Sequence, residues 1–67
     1  LNLKINGNQI EVSESVKTVA ELLTHLELVN RIVVVERNKD ILQKDDHTDT
    51  SVFDGDQIEI VTFVGGG

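Results

Sequence analysis

No cysteine occurs among the 67 residues, aromatic side chains number two, and Lys plus Arg supply six positive charges against twelve acids. Each scarcity excludes something. Without Cys no disulfide can staple the chain, so a disulfide-dense secreted scaffold is ruled out. Two His and no Cys leave a structural zinc site without its usual donors. The core has to come from Leu, Ile and Val, with Phe53 and Phe63 the only aromatics. A net charge of −6 argues against nucleic acid, whose phosphates demand clustered Lys and Arg. It argues equally against an anionic membrane surface. A basic protein partner suits such a chain. No segment approaches the ~20 apolar residues of a transmembrane helix. The opening LNLKING has no apolar run of signal-peptide type, so a cytoplasmic location is the expectation. Because position 1 is Leu, an initiator or a few residues before it are expected to be missing from the sequence.

What is present reads as one small domain. Leu1, Leu3 and Ile5 alternate with Asn2, Lys4 and Asn6, the period of a half-buried strand. Asn6-Gly7-Asn8 is a hairpin signal, and Ile10 and Val12 resume the alternation. The period then changes. Val19, Leu22, Leu23 and Leu26 lie at i, i+3, i+4 and i+7, one face of a helix. Thr18 followed by Glu21 three residues later predicts a capping box, and Asn30 is the expected stop after about three turns. Ile32-Val33-Val34-Val35 is a β-branched run without alternation. It predicts a central strand covered on at least part of both faces. Glu36 to Asp40 reads as a turn, Ile41-Leu42 as a short strand and Gln43 to Thr50 as a polar loop. Ser51, Val52 and Phe53 are expected to return to the core. Asp54-Gly55-Asp56 predicts a tight turn, and Gln57 to Val64 the last strand. The order β-β-α-β-(β)-β describes an α+β domain, a mixed sheet of four or five strands with one helix on one face.

Alternation on the last strand assigns Ile58 and Ile60 to the helix side. It sends Gln57, Glu59, Val61 and Phe63 the other way. An exposed Val61/Phe63 pair, continued by Val64, is then a candidate docking patch. The alternative is a strand that bends and tucks Phe63 into the core. Other polar groups carry less. Asp45, Asp46, His47 and Asp49 read as a solvated loop, since their spacing does not match an EF-hand. His25 is expected at the surface, and turn formation accounts for Asp54 and Asp56. Arg31 and Arg37 are too isolated for an RNA surface. No phosphate-binding glycine motif occurs.

The sequence closes on VTFVGGG. Three glycines add nothing to a core, so the tail is either a frayed end or linker, or the working part. Taken with the hairpin LNLKINGNQIEV, the helix VAELLTHLEL, the strand-turn-strand IVVVERNKDIL and the final DGDQIEIV, this ending resembles the ubiquitin-like β-grasp proteins. Among them it looks most like the ThiS family of bacterial sulfur carriers of thiamin biosynthesis. The resemblance covers nearly the whole chain. Glycine at Gly65 is not required by the pattern. MoaD carriers of the molybdopterin pathway share the fold and tail in a somewhat longer chain.

The resemblance implies a domain over residues 1–64 and a flexible glycine tail over 65–67. It implies that a ThiF-type adenylating enzyme, using ATP and magnesium, activates the carboxylate of Gly67. A sulfur donor, cysteine desulfurase or persulfide protein, then converts it to a thiocarboxylate for thiazole synthase. Gly65 and Gly66 would thread into partner active sites, while Val61, Phe63 and Val64 would dock. The carrier itself would hold no cofactor or metal and would not be an enzyme. Two readings from other classes stand beside this one: a ubiquitin-like protein modifier, and a plain interaction module ending in a linker.

Overall fold

The computed structural model describes residues 1–63. Val64 and the tail expected at Gly65, Gly66 and Gly67 lie outside the described residues. The first hairpin joins β1 (Asn2–Ile5) to β2 (Asn8–Glu11). Its two-residue turn puts Asn6 at φ 51° and Gly7 at φ 84°. That is the pair of positive angles that matches the twist of the flanking strands. Helix α1 (Val19–His25) follows, then β3 (Ile32–Arg37), β4 (Asp40–Leu42) and β5 (Gln57–Phe63). Strand order is β2-β1-β5-β3-β4. β1 and β5 run parallel, and the other neighbours are antiparallel.

Helix α1 starts where the sequence predicts. Thr18 accepts from the Glu21 N–H at 3.2 Å while the Glu21 carboxylate accepts from the Thr18 N–H at 3.1 Å. Its end differs from expectation. The helix has seven residues, about two turns, and stops before Asn30 is reached. Glu27 takes the left-handed conformation at φ 61°. Its N–H donates to the Thr24 carbonyl at 3.0 Å, and the Leu28 N–H to the Leu23 carbonyl at 2.8 Å. This is a Schellman stop with a glutamate where glycine is usual. Leu23 is buried, and Leu28 packs against the same core. That apolar contact offsets the steric cost at Glu27.

The helix lies on one face of the sheet. Leu3, Ile5, Val35, Ile58 and Ile60 from the strands are buried with Val19, Leu22 and Leu23 of α1 and with Val12, Val16 and Val52. This is the expected β-grasp arrangement. Four expectations need correction. Phe53 and Ser51 do not enter the core; only Val52 of that trio does. Phe53 is 59% exposed and lies under the Arg37 guanidinium, 5.6 Å from the ring centre. The β3 run is internal to the sheet but covered on one face: Val35 is buried while Ile32 and Val34 are exposed. The turn read over Glu36 to Asp40 is shorter, because β3 continues through Arg37 and only Asn38 and Lys39 turn, both at positive φ. His47 leaves the solvated loop. A single 3-10 turn, Lys44–Asp46, carries it against α1, where its carbonyl accepts from the Ala20 N–H at 2.9 Å. Among the described residues, no helix is long and apolar enough to cross a membrane.

Candidate functional site

Everything expected of function gathers at the far end of β5, so what positions that strand matters first. Its start is fixed by a polar cluster. The Asp56 carboxylate accepts from the Phe53 N–H at 2.8 Å, the Arg37 Nε at 3.0 Å and the Asn38 Nδ2 at 3.1 Å. Burial opposes ionisation of Asp56, but the Phe53 amide, Asn38 and Arg37 together outweigh it. They hold its carboxyl below the usual range. Asn38 also receives the Gln57 N–H on its Oδ1 at 2.9 Å. Asp54 accepts from the Asn2 N–H, and the Gly55 N–H returns a bond to the Asn2 carbonyl at 2.7 Å. The turn thus ties β5 to β1 on one side and to β3 on the other. Asp54 and Asp56 serve the turn, as expected from sequence.

Beyond Ile58 the strand changes company. β1 pairs with β5 only at Gln57 and Ile58, whereas β3 pairs with it from Ile58 to Phe63. The side chain of Asn6 bonds to both backbone groups of Ile60. Past that point no strand lies on the β1 side of β5 among the described residues. The last stretch, Val61 to Phe63, therefore projects with one edge open.

Its outer face is apolar. Ile58 and Ile60 point to the helix, and Val61 and Phe63 are 54% and 50% exposed. The alternative in which Phe63 folds into the core is excluded by that exposure. Directly opposite in the β3–β5 ladder, Ile32 faces Phe63 and Val34 faces Val61. Ile41 of β4, opposite Glu36, extends the same face. All five side chains are exposed. The next outward pair down the ladder is Glu36 and Glu59. Like charges placed directly opposite repel, so the apolar patch is bordered by negative potential.

Sequence reasoning found Val61 and Phe63 but missed Ile32, Val34 and Ile41. The signal was the β3 run itself. Four consecutive β-branched residues put two on each face, and only the assumption of a second covering layer hid the outer pair. Val64, Gly65, Gly66 and Gly67 lie outside the described residues. His25 is exposed on α1, and Asp45, Asp46 and Asp49 are exposed in the connection to β5.

Comparison with known proteins agrees with this geometry. The ThiS family model matches residues 3–67. The sulfur carrier protein ThiS of Bacillus subtilis (strain 168) is 43% identical over 65 residues, covering 97% of this chain and 98% of that one. A thiazole synthase of Paramagnetospirillum magneticum is 45% identical over 67 residues. That match takes in all of this chain but 20% of the synthase. The crystal structure of the thiamine biosynthesis protein ThiS from Geobacter metallireducens superposes with a TM-score of 0.83 at 36% identity, over 100% of both chains. Matched from near its first residue to its last, and sharing this fold at that identity, the chain belongs to the ThiS family.

Proposed function

We propose that this ThiS-family sulfur carrier of thiamin biosynthesis works as a protein co-substrate, presenting its own C-terminal carboxylate to enzymes that bind its outer sheet face. The observation that carries the reading is the exposed Val61/Phe63 patch on β5, the last strand before the glycines in the sequence. Chemistry explains why the two belong together. A carboxylate is a poor acylating group. One oxygen of the Gly67 carboxylate attacks the α-phosphorus of ATP, the bond to the β-phosphate oxygen breaks, and pyrophosphate leaves. The terminal sulfur of a persulfide then attacks the acyl carbon and displaces AMP. Cleavage of the resulting S–S bond by a thiol leaves the thiocarboxylate. ATP, magnesium and the persulfide belong to the partners, a ThiF-type adenylating enzyme and a sulfur donor.

Gly65, Gly66 and Gly67 supply reach and slimness. Extended, three residues span ~10 Å at ~3.3–3.6 Å each. Lacking Cβ, they can pass a narrow channel and approach a nucleotide closely. Ordering such a tail is unfavourable in entropy, and the docked patch offsets it. Val61, Phe63 and Val64 are the proposed anchors, with Ile32, Val34 and Ile41 completing the surface. Thiazole synthase is the proposed acceptor. A segment like this chain within a protein named thiazole synthase supports the two acting together.

Intact-protein mass spectrometry tests the reading. The chain is incubated with the adenylating enzyme, ATP and a sulfur donor. The expected product has one oxygen replaced by sulfur, located at Gly67. A chain lacking Gly67 is expected to stay unchanged. No mass change, with a working control carrier alongside, would overturn the proposal.

A further inference from the structure

A second surface carries chemistry that sulfur transfer does not use. Between α1, the connection to β3, the start of β3 and the 3-10 turn lies a cavity of about 310 Å³. Leu23, Leu28 and Val33 give it an apolar wall. Its charge is the opposite of the chain's. Twelve acids occur in the sequence, yet none lines this cavity, while two of the six bases, Arg31 and Lys44, do. Neither makes an ion pair among the described residues. Beside Thr24 and Thr48, the remaining polar side chain of the lining is His47. It is 7% exposed, lines the cavity, and its Nε2 has no hydrogen-bond partner among the described residues. Buried polar atoms are nearly always partnered, and an orphan calls for an explanation such as an ordered water or ion.

We infer that this cavity binds a small organic anion, with a flat or branched apolar body against Leu23, Leu28 and Val33 and a carboxylate or phosphate head held by Arg31 and Lys44. An apolar wall with a few convergent polar groups is the usual make-up of a small-molecule site. Two unneutralised cations select a negative head over a neutral one, and guanidinium suits both carboxylate and phosphate oxygens. The site meets the outer face at Ile32, which lines the cavity and also stands opposite Phe63, while Arg31, Lys44 and His47 lie outside that patch.

The test is a ¹⁵N–¹H NMR titration of the full chain with benzoate, phenyl phosphate and, as the neutral control, benzyl alcohol. Saturable shifts are expected at the amides of Leu23, Leu28, Arg31, Val33 and His47. The preferred anion should bind about tenfold or more tightly than benzyl alcohol, the scale of one charge-assisted hydrogen bond. Which anion wins identifies the head group. Arg31→Gln combined with Lys44→Gln alters exposed side chains only. It should weaken the anion about tenfold while leaving benzyl alcohol unchanged. Equal binding of the neutral control, indifference to the double substitution, or no saturable shift at millimolar anion would overturn the inference. So would a change at the same amides on removing residues 64–67 without added ligand, because the occupant would then be the chain's own terminus.

Discussion

Asn6 lends its side chain to β5 as though it were one more residue of β1. Its Oδ1 accepts from the Ile60 N–H at 2.7 Å, and its Nδ2 donates to the Ile60 carbonyl at 3.0 Å. Both bonds form at the position where the β1–β5 ladder has ended. The amide therefore carries strand pairing past the last true partner and steadies the segment that leads to Val61 and Phe63. Asn6→Gly isolates this role, since glycine accepts φ 51° without strain. The substitution is expected to lower stability by about 1–3 kcal/mol, two net hydrogen bonds' worth. Amide hydrogen exchange at Ile60 should quicken more than at Ile58. Unchanged exchange at Ile60 would show that the amide bridge contributes nothing in solution.

A second prediction concerns acid. The folded-state Asp56 carboxyl lies below its ordinary value. Its contribution to stability is therefore complete above the unfolded value, about 3.9, and is lost as pH falls through the lower folded value. Asp56→Asn removes the charge that Arg37 and the Phe53 amide need. At neutral pH it should cost about 2–3 kcal/mol, the range of charge-assisted hydrogen bonds. The gap between wild type and variant should narrow steadily below pH about 4, as the wild-type carboxyl takes up its proton. Thermal melts of both proteins from neutral to acid pH check this. A constant gap would mean that ionisation is irrelevant to the cluster.

Local chemistry was legible in the sequence wherever the cause was local. The Asn6-Gly7 turn, the Thr18/Glu21 capping box and the alternation of Ile58, Ile60, Val61 and Phe63 each depend on neighbours within a few positions, and each stands as read. What failed to show depended on distant partners. The early end of α1 at Glu27 is stabilised by Leu28 reaching the core, which no propensity of glutamate announces. Phe53 looks like a core aromatic, but Arg37 offers its ring a cationic cover at the surface. The patch residues Ile32 and Val34 became visible only when the ladder set them opposite Phe63 and Val61. His47 sits in a polar run, and its burial arises from the 3-10 turn closing on α1. The tail is the reverse case. Its meaning lies in sequence order alone.

The proposed docking patch should separate stability from function. Val61 and Phe63 are about half exposed, so Val61→Ala and Phe63→Ala should each cost about 1 kcal/mol or less in chemical denaturation. Both should lower kcat/KM for adenylation about tenfold or more, because apolar anchors at the centre of an interface carry most of its binding energy. The loss should appear in KM for the carrier more than in kcat, since the proposal gives both side chains a part in binding and none in the chemical step. Wild-type kinetics for both variants would move the docking site elsewhere on the domain.

The paired acids beside the patch make the opposite separation. Glu36 and Glu59 stand directly across the β3–β5 ladder, a pairing that repels within the free protein. Glu59→Gln should therefore raise stability by roughly a few tenths of a kcal/mol. If the two carboxylates guide a basic partner surface onto the apolar patch, the same substitution should slow association with the adenylating enzyme. It should also flatten the dependence of that rate on ionic strength, while dissociation changes little. Stopped-flow association at low and high salt measures both quantities. A stabilised variant that associates as fast as wild type at every salt concentration would leave the acidic border with no part in recognition. The repulsion would then be only a local defect of the ladder. A slower variant with the same salt slope would point to lost contact and not to lost steering.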